Sequence, residues 1–413
     1  MSHSSGLAEY RAALTTPGAR GPVLAALIGR MPIAMVGLSL LLYVQRATGS
    51  FATAGLVSAG ALIGVAVGSV LQGRIMDRIG PSRPLLVTSA VFAVLVTSGV
   101  LAIESRAATP VLIALGVGIG LSEPMTGSAS RAMWTRLTPP GPTRDAALAY
   151  EAISMEVFFI LGPAVSGLLL AAPWAGTGVV VGASCMIFGG VWFALTPTIR
   201  RFRPAGDEPR GRGLLGALGS PGMRTLALAA MGFGVTIGFI EVAVPAAANA
   251  AGNAPAGGLL LGLWSVSSVI FGVLYGVRPW PRAMRLRLPV LLAGFSLLLA
   301  LLAIPTSLLG LALALLVAGT LVTPQATTHS AAIELVAPQN TATEAFGWVI
   351  TSVTLGLAFG QSVSGQLVEH VGVWSSYLAA AAVGLVFAAV VYARRRTVGE
   401  PAHPIESRSP ALV

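Results

Sequence analysis

Residues 73–86 read GRIMDRIGPSRPLL, and they lie between two apolar runs that are each long enough to cross a membrane. Within this stretch an aspartate lies between two arginines, and Gly80 and Pro81 predict a tight turn that joins antiparallel helices. Only 10% of the chain is charged, 55% is hydrophobic, and the mean hydropathy is +0.82. This composition is too apolar for a water-soluble domain with one core, so the stretch is interpreted as a loop between two membrane-spanning helices.

Twelve apolar runs of about 20 residues follow one another along the chain, and about 20 residues is the length that an α-helix needs to cross a bilayer. They are numbered here as spans 1 to 12 and cover residues 22–44, 52–73, 84–103, 110–133, 146–172, 177–197, 222–247, 257–277, 287–304, 308–335, 344–369 and 373–393. None shows the alternating hydrophobicity of a transmembrane barrel strand. The sequence therefore predicts an all-α membrane protein with twelve transmembrane helices.

The basic residues, all arginines, are distributed unequally between the two predicted faces of the membrane. With the N-terminus inside, the predicted outer loops hold only Arg46 and Arg106, whereas the predicted cytoplasmic loops and tails hold nearly all the others. This bias follows the positive-inside rule and predicts a multi-pass plasma-membrane protein with both termini in the cytoplasm. It also explains the net charge of +10 without a nucleic-acid partner. The expected partners are a small-molecule substrate and membrane lipids, and we expect a monomer.

An internal repeat relates the two halves of the chain. GPAVSGLL from Gly162 in span 5 aligns with GQSVSGQL from Gly360 in span 11, and Pro124 in span 4 aligns with Pro324 in span 10. Spans 1 to 6 thus correspond in order to spans 7 to 12, and an even number of spans makes the repeat parallel. We expect two six-helix bundles related by a pseudo-two-fold axis along the membrane normal. The predicted organisation is a cytoplasmic N-terminal tail (1–21), an N-terminal bundle (22–199), a cytoplasmic linker (200–221), a C-terminal bundle (222–393) and a cytoplasmic C-terminal tail (394–413).

The twelve spans, the parallel repeat, the basic central loop and the loop between spans 2 and 3 together resemble the major facilitator superfamily of secondary transporters. The signature of that loop is G-x-x-x-D-R-x-G followed by basic residues, and this chain supplies Gly73, Asp77, Arg78, Gly80 and, further on, Arg83. The resemblance implies that Asp77 meets the positive N-terminal end of span 11 and latches the two bundles together on the cytoplasmic side. The alternative is a loop whose arginines only set the topology.

Two stripes of small residues at steps of four suggest close helix contacts. The stripes are Gly60, Gly64 and Gly68 in span 2, and Gly356, Gly360 and Ser364 in span 11. In the family that the chain resembles, spans 2 and 11 face each other across the boundary between the bundles. We therefore predict that the stripes form the moving contact between bundles, with ordinary tight packing of membrane helices as the alternative.

Span 5 carries a short motif made of Gly162, Pro163, Ser166 and Gly167. It resembles the G-P-x-x-G-G signature of drug/proton antiporters within the superfamily, and the resemblance implies export. Pro163 removes a backbone donor and bends the helix, so a simple kink is the alternative.

Five of the ionisable side chains in the predicted spans are candidates for function, because an ionisable group costs at least about 2.5 kcal/mol near the bilayer centre. They are Arg30 in span 1, Glu123 in span 4, Glu151 and Glu156 in span 5, and Glu241 in span 7. We predict Glu123 and Glu156 as proton-coupling acids with Arg30 as their counter-charge. A static network that holds spans 1, 4 and 5 together is the alternative, and Glu151 could instead reach the cytoplasmic interface. Glu241 is expected to contact substrate in an outer cavity or to meet water from outside.

No nucleotide-binding loop, catalytic motif or metal-spaced cluster occurs in the sequence, so we expect no enzyme activity, no cofactor and no metal site. These features predict a secondary active transporter that works by alternating access. Proton-coupled efflux of small amphipathic or cationic compounds is the first hypothesis. An importer or facilitator of a nutrient or metabolite on the same fold is the second, and a non-transporting membrane receptor or scaffold is the third.

Overall fold

The protein is described by a computed structural model over residues 7–139, 141–202, 216–277, 283–338 and 342–398. Parts of both predicted tails and residues 203–215 of the predicted linker lie outside these ranges. The side chains of a few residues within helices, among them Glu156, are also outside the described set. All regular secondary structure in the described ranges is helical.

The N-terminal half contains six spans in the predicted order, preceded by a short helix, Leu7–Leu14. Two spans are interrupted: span 1 consists of Arg20–Arg30 and Ile33–Thr48, and span 4 consists of Thr109–Ser122 and Thr126–Leu137. The continuous ones are span 2 (Phe51–Ile79), span 3 (Ser82–Glu104), span 5 (Pro142–Leu170) and span 6 (Thr177–Leu195), after which a short helix covers Pro197–Arg200.

The C-terminal half repeats this order. Its spans are span 7 (Pro221–Ala250), span 8 (Ala256–Val277), span 9 (Met284–Ala300), span 10 (Leu308–Gly319 and Val322–Val336), span 11 (Ala342–His370) and span 12 (Val373–Ala393). Short 3₁₀ turns cover Gly216–Gly219, Leu301–Ala303 and Arg395–Thr397. Among the described residues, eleven of the twelve spans are long and apolar enough to cross a membrane, and span 8 contributes a shorter apolar stretch, Ala256–Gly272. The prediction of an all-α, multi-pass membrane fold is confirmed.

Local sequence sets the ends of span 2. Gly49 takes a left-handed conformation, and the side chain of Ser50 then accepts a hydrogen bond of 3.0 Å from the backbone N–H of Thr53, which caps the new helix. At the other end Gly80 has a φ of 85°, and its N–H donates to the carbonyl of Met76 at 2.9 Å. Because glycine adopts this φ without steric cost, the chain reverses there into span 3, as the Gly80–Pro81 pair predicted.

The two halves use the same internal packing. In the N-terminal half, span 1 packs on spans 2, 5 and 6, span 2 packs on span 4, and span 3 packs on span 6. In the C-terminal half, span 7 packs on spans 8, 11 and 12, span 8 packs on span 10, and span 9 packs on span 12. Adding six to each number of the first set gives the second, so the halves are two six-helix bundles of one design.

The bundles meet along two helix pairs, span 2 with span 11 and span 5 with span 8. In the first pair, Gly55 lies against the backbone of Gln361, and Gly365 lies against the backbone at Phe51. In the second pair, Gly167 lies against Gly258. A side chain at any of the three glycines would collide with backbone of the opposite bundle. All three lie at the ends of their spans that face the predicted outer side.

The predicted small-residue stripes do not form this contact, so that prediction is wrong. The stripe of span 2 packs on span 4, and the stripe of span 11 packs on span 7, each within its own bundle. The residues concerned are Gly60, Gly64 and Gly68 in span 2, and Gly356 and Gly360 in span 11. Ser364 donates from its hydroxyl to the carbonyl of Phe239 in span 7 at 3.0 Å and lies 2.6 Å from the hydroxyl of Ser376. Small residues are needed where helices of one bundle cross closely, and a different face of each span meets the other bundle.

Candidate functional site

Arg30 and Glu151 form an ion pair in the interior of the N-terminal bundle, and their side chains are 3% and 1% exposed. The Glu151 carboxylate also accepts hydrogen bonds from the Ser130 hydroxyl at 2.7 Å and from the Trp134 indole N–H at 3.0 Å. Arg30 donates in addition to the Ser154 hydroxyl at 3.3 Å. Both charges are therefore neutralised and hydrogen-bonded, which is what makes such a pair tolerable away from water.

This network joins spans 1, 4 and 5, as the static alternative predicted. Arg30 is paired with Glu151 rather than with Glu123, so the prediction that Arg30 is the counter-charge of Glu123 is wrong. Glu151 lies in the bundle interior rather than at the interface, because the guanidinium and two further donors surround it. The side chain of Glu156 lies outside the described residues, and its predicted role stays a prediction.

Span 4 is interrupted at Glu123, where the chain leaves the helix with φ −53° and ψ 124° before Pro124. The buried side-chain amide of Gln72 in span 2 replaces the lost backbone bonds. Its Nε2 donates to the carbonyls of Leu121 at 3.0 Å and Glu123 at 2.9 Å, and its Oε1 accepts from the N–H of Met125 at 3.3 Å. The half-buried Glu123 carboxylate has no hydrogen-bond partner in the described part of the chain.

The sequence analysis did not identify Gln72, although a signal was present. Gln72 follows Gly68 by four residues, so it continues the face of span 2 that packs on span 4, and it is polar where the preceding positions are glycine. A lone amide on a face that packs tightly on another helix indicates that its partner is backbone.

Span 10 is interrupted at Thr320 and Leu321, close to the position that the repeat aligns with the break in span 4. There the hydroxyl of Ser268 in span 8 accepts from the N–H of Thr323 at 3.1 Å and lies 2.7 Å from the Thr323 hydroxyl. One turn further, Gln325 Nε2 and His329 Nε2 are 3.1 Å apart, both buried. Each bundle therefore contains a discontinuous helix whose break is capped from the neighbouring span. Such breaks are the usual position of binding sites in secondary transporters.

Glu241 in span 7 is half-buried and accepts a hydrogen bond of 2.7 Å on Oε2 from Nε2 of Gln361 in span 11. Gln361 is 5% exposed, and its backbone is the part of span 11 that lies against Gly55 of the other bundle. No basic side chain of the described residues forms an ion pair with Glu241. This carboxylate therefore lies beside the contact between bundles and is not neutralised.

Another carboxylate, unlike Glu241, bridges the two bundles at the predicted outer face. Glu369, near the end of span 11, accepts from the Ser50 hydroxyl at 2.5 Å and from the backbone N–H of Ala52 at 2.8 Å. The N-terminal end of a helix carries partial positive charge, so the carboxylate is well placed against the start of span 2. In the other pair, the Ser265 hydroxyl donates to the carbonyl of Phe159 at 3.3 Å.

At the predicted cytoplasmic ends of spans 2 and 11, the helix faces that meet at the outer side have open space beside them. On span 2, Gly73 lies about five helical turns after Gly55 and therefore on the same helix face. On span 11, Gly347 lies about five turns before Gly365, again on the same face. A Cβ atom at Gly73 or Gly347 would meet nothing within 4 Å. Spans 2 and 11 therefore touch at the predicted outer side and separate towards the predicted cytoplasmic side.

The residues of the predicted latch surround the turn between spans 2 and 3. Asp77, Arg78 and Arg83 are exposed there, Gly73 is partly exposed, and Gly80 is buried in the turn. The side chains of residues 343 and 344, at the start of span 11, lie outside the described set. The contact of Asp77 with that helix end stays a prediction.

The span 5 motif lies where three helices meet. Gly162 packs on the backbone of span 1 at Ala34 and Met35. Ser166 donates to the Met35 carbonyl at 2.9 Å, Gly167 packs on span 8, and Pro163 lies inside the helix. The motif therefore packs on span 1 of its own bundle and, at Gly167, on span 8 of the other bundle.

Comparison with known proteins gives matches of three kinds: a family model, a relative in sequence and solved structures. Residues 23–323 match the family model of the Major Facilitator Superfamily. The uncharacterized MFS-type transporter y4rN of Sinorhizobium fredii (strain NBRC 101917 / NGR234) is 25% identical over 275 residues, which cover 64% of this chain and 66% of that protein.

Two solved structures share the fold. A mutant form of the nucleoside transporter NupG has a TM-score of 0.74 at 14% identity, covering 91% of this chain and 99% of that one. A bacterial homologue of the human lysosomal transporter Spinster has a TM-score of 0.68 at 15% identity, covering 94% of this chain and 100% of that one. The family match, the repeated six-helix bundles and the broken helices lead to one conclusion: the chain belongs to the Major Facilitator Superfamily and is a membrane transporter, not an enzyme.

Proposed function

We propose that this transporter is a proton-coupled exporter of small cationic or amphipathic compounds that works by alternating access in the plasma membrane, with both termini in the cytoplasm. The observation that carries the proposal is the imbalance of charge inside the spans. Arg30 is neutralised by Glu151, whereas Glu123 and Glu241 have no basic partner among the described residues.

An unpaired carboxylate inside the membrane is costly, and it becomes cheaper when it binds a proton or a cation. A proton and a cationic substrate therefore compete for the same negative charge. Glu123 lies at a helix break and Glu241 lies beside the contact between bundles, so a change at either acid is adjacent to a part of the fold that can move. Competition of this kind supports exchange of one cation for the other across the membrane.

The arrangement of the bundles supports alternating access. Contacts at Gly55, Gly167 and Glu369 close one side, and the open space at Gly73 and Gly347 leaves the other side accessible. With the orientation that the arginine distribution predicts, the open side faces the cytoplasm. A compound for export would enter there. The antiporter-like motif of span 5, which lies at the contact with span 8, supports the efflux direction.

The test is transport in proteoliposomes with an imposed pH gradient and ethidium as a cationic probe. We expect the wild type to move ethidium in the direction opposite to the flow of protons down the imposed gradient. Glu123→Gln and Glu241→Gln should each abolish the dependence of flux on the gradient, because a glutamine cannot exchange a proton. Glu104→Gln is the matched control, since this exposed carboxylate lies at the outer end of span 3 and glutamine keeps an acceptor for Tyr43.

The outcomes separate the three functions. Unchanged coupling in both variants would remove these acids from the mechanism. An inward current induced by a nutrient or metabolite would instead show an importer. If no compound of a diverse panel moves and the outer contact never opens, the receptor or scaffold hypothesis is supported.

A further inference from the structure

Gln361 is the one side chain of span 11 that is hydrogen-bonded to Glu241 in the described residues, and its backbone lies at the contact with the other bundle. We propose that Gln361 is a positioning residue that transmits the protonation of Glu241 to the outer contact between the bundles. This inference rests on the proposed proton-coupled function.

The first argument is the hydrogen-bond balance of the amide. Nε2 of Gln361 donates to the Glu241 carboxylate, and Oε1 of the same amide is buried without a hydrogen-bond partner. A buried carbonyl oxygen that lacks a donor loses its hydrogen bonds to water without gaining one from the protein. The charged form of Glu241 therefore holds the amide in an orientation that leaves its acceptor unused.

Protonation gives the acid a donor that it lacks when charged. A neutral Glu241 carries an O–H donor beside its carbonyl acceptor, and Oε1 of Gln361 is an acceptor without a partner. A shift of the amide lets Oε1 accept from the acid O–H while Nε2 still donates to the acid carbonyl. The proton arrives from water and stays on the Glu241 carboxyl, so no other bond is made or broken. The two protonation states thus select two positions of one buried amide.

The second argument is the position of Gln361 on span 11. Residues 361, 365 and 369 follow one another at steps of four and so lie on one helix face. Gln361 lies against Gly55, Gly365 lies against Phe51, and Glu369 caps the start of span 2. Because Gly55 has no side chain, the backbones of spans 2 and 11 approach closely. A displacement of span 11 at Gln361 therefore also moves Gly365 and Glu369 relative to span 2.

Other titratable groups on the helices that pack around spans 7 and 11 have different partners or none. His329 is near Gln325, Tyr43 donates to Glu104, Arg46 donates to the carbonyl of Leu170, and Glu369 accepts from Ser50. The Tyr377 hydroxyl of span 12 is buried without a partner. Spans 2 and 9 carry charged residues only towards the predicted cytoplasmic side, and span 8 (Ala256–Val277) carries none. Gln361 is therefore the group placed to respond when Glu241 gains a proton.

The experiment measures the outer contact directly as a function of pH. Cysteines replace Ala171 after span 5 and Asn253 before span 8, two exposed residues on opposite bundles, in a Cys185→Ser background. Spin labels on this outer probe pair report the ratio of open to closed outer ends in nanodiscs by double electron–electron resonance. In the wild type, we expect acidification to raise the open fraction, because it removes the charged acceptor that holds Gln361.

Gln361→Met keeps the size of the side chain and removes the amide, so we expect the pH response of the open-to-closed ratio to fall about tenfold. Gln361→Asn keeps an amide that is shorter by one methylene and should give an intermediate response. Gln366→Met is the matched control, an exposed glutamine on the same helix, and should respond like the wild type.

The results distinguish this inference from the function on which it rests. If the open-to-closed ratio of the wild type responds to pH and both Gln361 variants respond as strongly as the wild type, the inference is wrong while the proton-coupled function stands. Gradient-driven ethidium flux in the wild type tests the proposed function itself. If the open-to-closed ratio of the wild type does not change with pH, the inference is wrong, and the proposed proton coupling loses support.

Discussion

Two glycines on one pair of helices should have opposite effects on the conformational equilibrium. Gly55 lies in the closed outer contact against the backbone of Gln361, whereas Gly347 lies on the span 11 face where nothing is within 4 Å of a Cβ atom. Gly55→Leu should therefore penalise the state that the structure shows. Gly347→Leu should leave that state unchanged and penalise the state in which the predicted cytoplasmic ends meet.

The size of the effect follows from the rigidity of the contact. A leucine at position 55 would press against backbone, which cannot rotate away as a side chain can, and overpacking of this kind costs about 1–3 kcal/mol. This free energy shifts the ratio of the two states by about 5- to 150-fold. We expect Gly55→Leu to raise the outer-open fraction by that factor and Gly347→Leu to lower it.

The outer probe pair at positions 171 and 253 measures both shifts, and gel filtration with a thermal melt confirms that each variant is folded. Gly73→Ala is the control, because a methyl group there meets open space in the observed state and is small enough for a modest effect in the other. If both leucine variants moved the ratio in the same direction, the two ends of spans 2 and 11 would not alternate, and rocking of the bundles would be refuted.

Three further predictions address stability and gating. Arg30→Leu or Glu151→Leu alone should lower the free energy of unfolding by about 3–5 kcal/mol, measured by SDS titration, whereas the double replacement should cost less because no charge is left unpaired. Gln72→Leu should cost about 1–3 kcal/mol for each backbone group left unsatisfied at the break of span 4, visible in the same titration. Asp77→Asn and Glu369→Gln should move the outer probe pair in opposite directions, each by about 5-fold, and the double variant should return towards the wild-type ratio.

The sequence predicted the parts of the fold that the bilayer imposes. The length of apolar runs follows from membrane thickness, and the Gly80–Pro81 pair and the aligned Pro124 and Pro324 are local signals. The rotational setting of each helix was not predictable in this way. The glycine stripe of span 2 has the same spacing whether it faces span 4 or span 11, and only three-dimensional packing decides between them.

The same limit applies to charges. Glu123, Glu151 and Glu156 lie at similar predicted depths near Arg30, and the structure pairs Arg30 with Glu151 because Ser130 and Trp134 supply further donors there. Those donors come from the second segment of span 4, whose direction depends on the break at Glu123. The partner of a buried charge therefore depends on a backbone irregularity that apolar periodicity does not encode.

Spans 2 and 11 combine an acid and a helix N-terminus in a reciprocal way. Span 11 ends with Glu369, which caps the start of span 2 at the predicted outer face. Span 2 ends with Asp77, for which we predict the start of span 11 as the partner at the other face. If the bundles rock as rigid bodies, closing one face opens the other, so the two charge–helix contacts would alternate. Each would replace an interaction of the same kind, and the two states would then differ little in free energy. A small difference of this kind is what lets a proton or a substrate cation decide which state is populated.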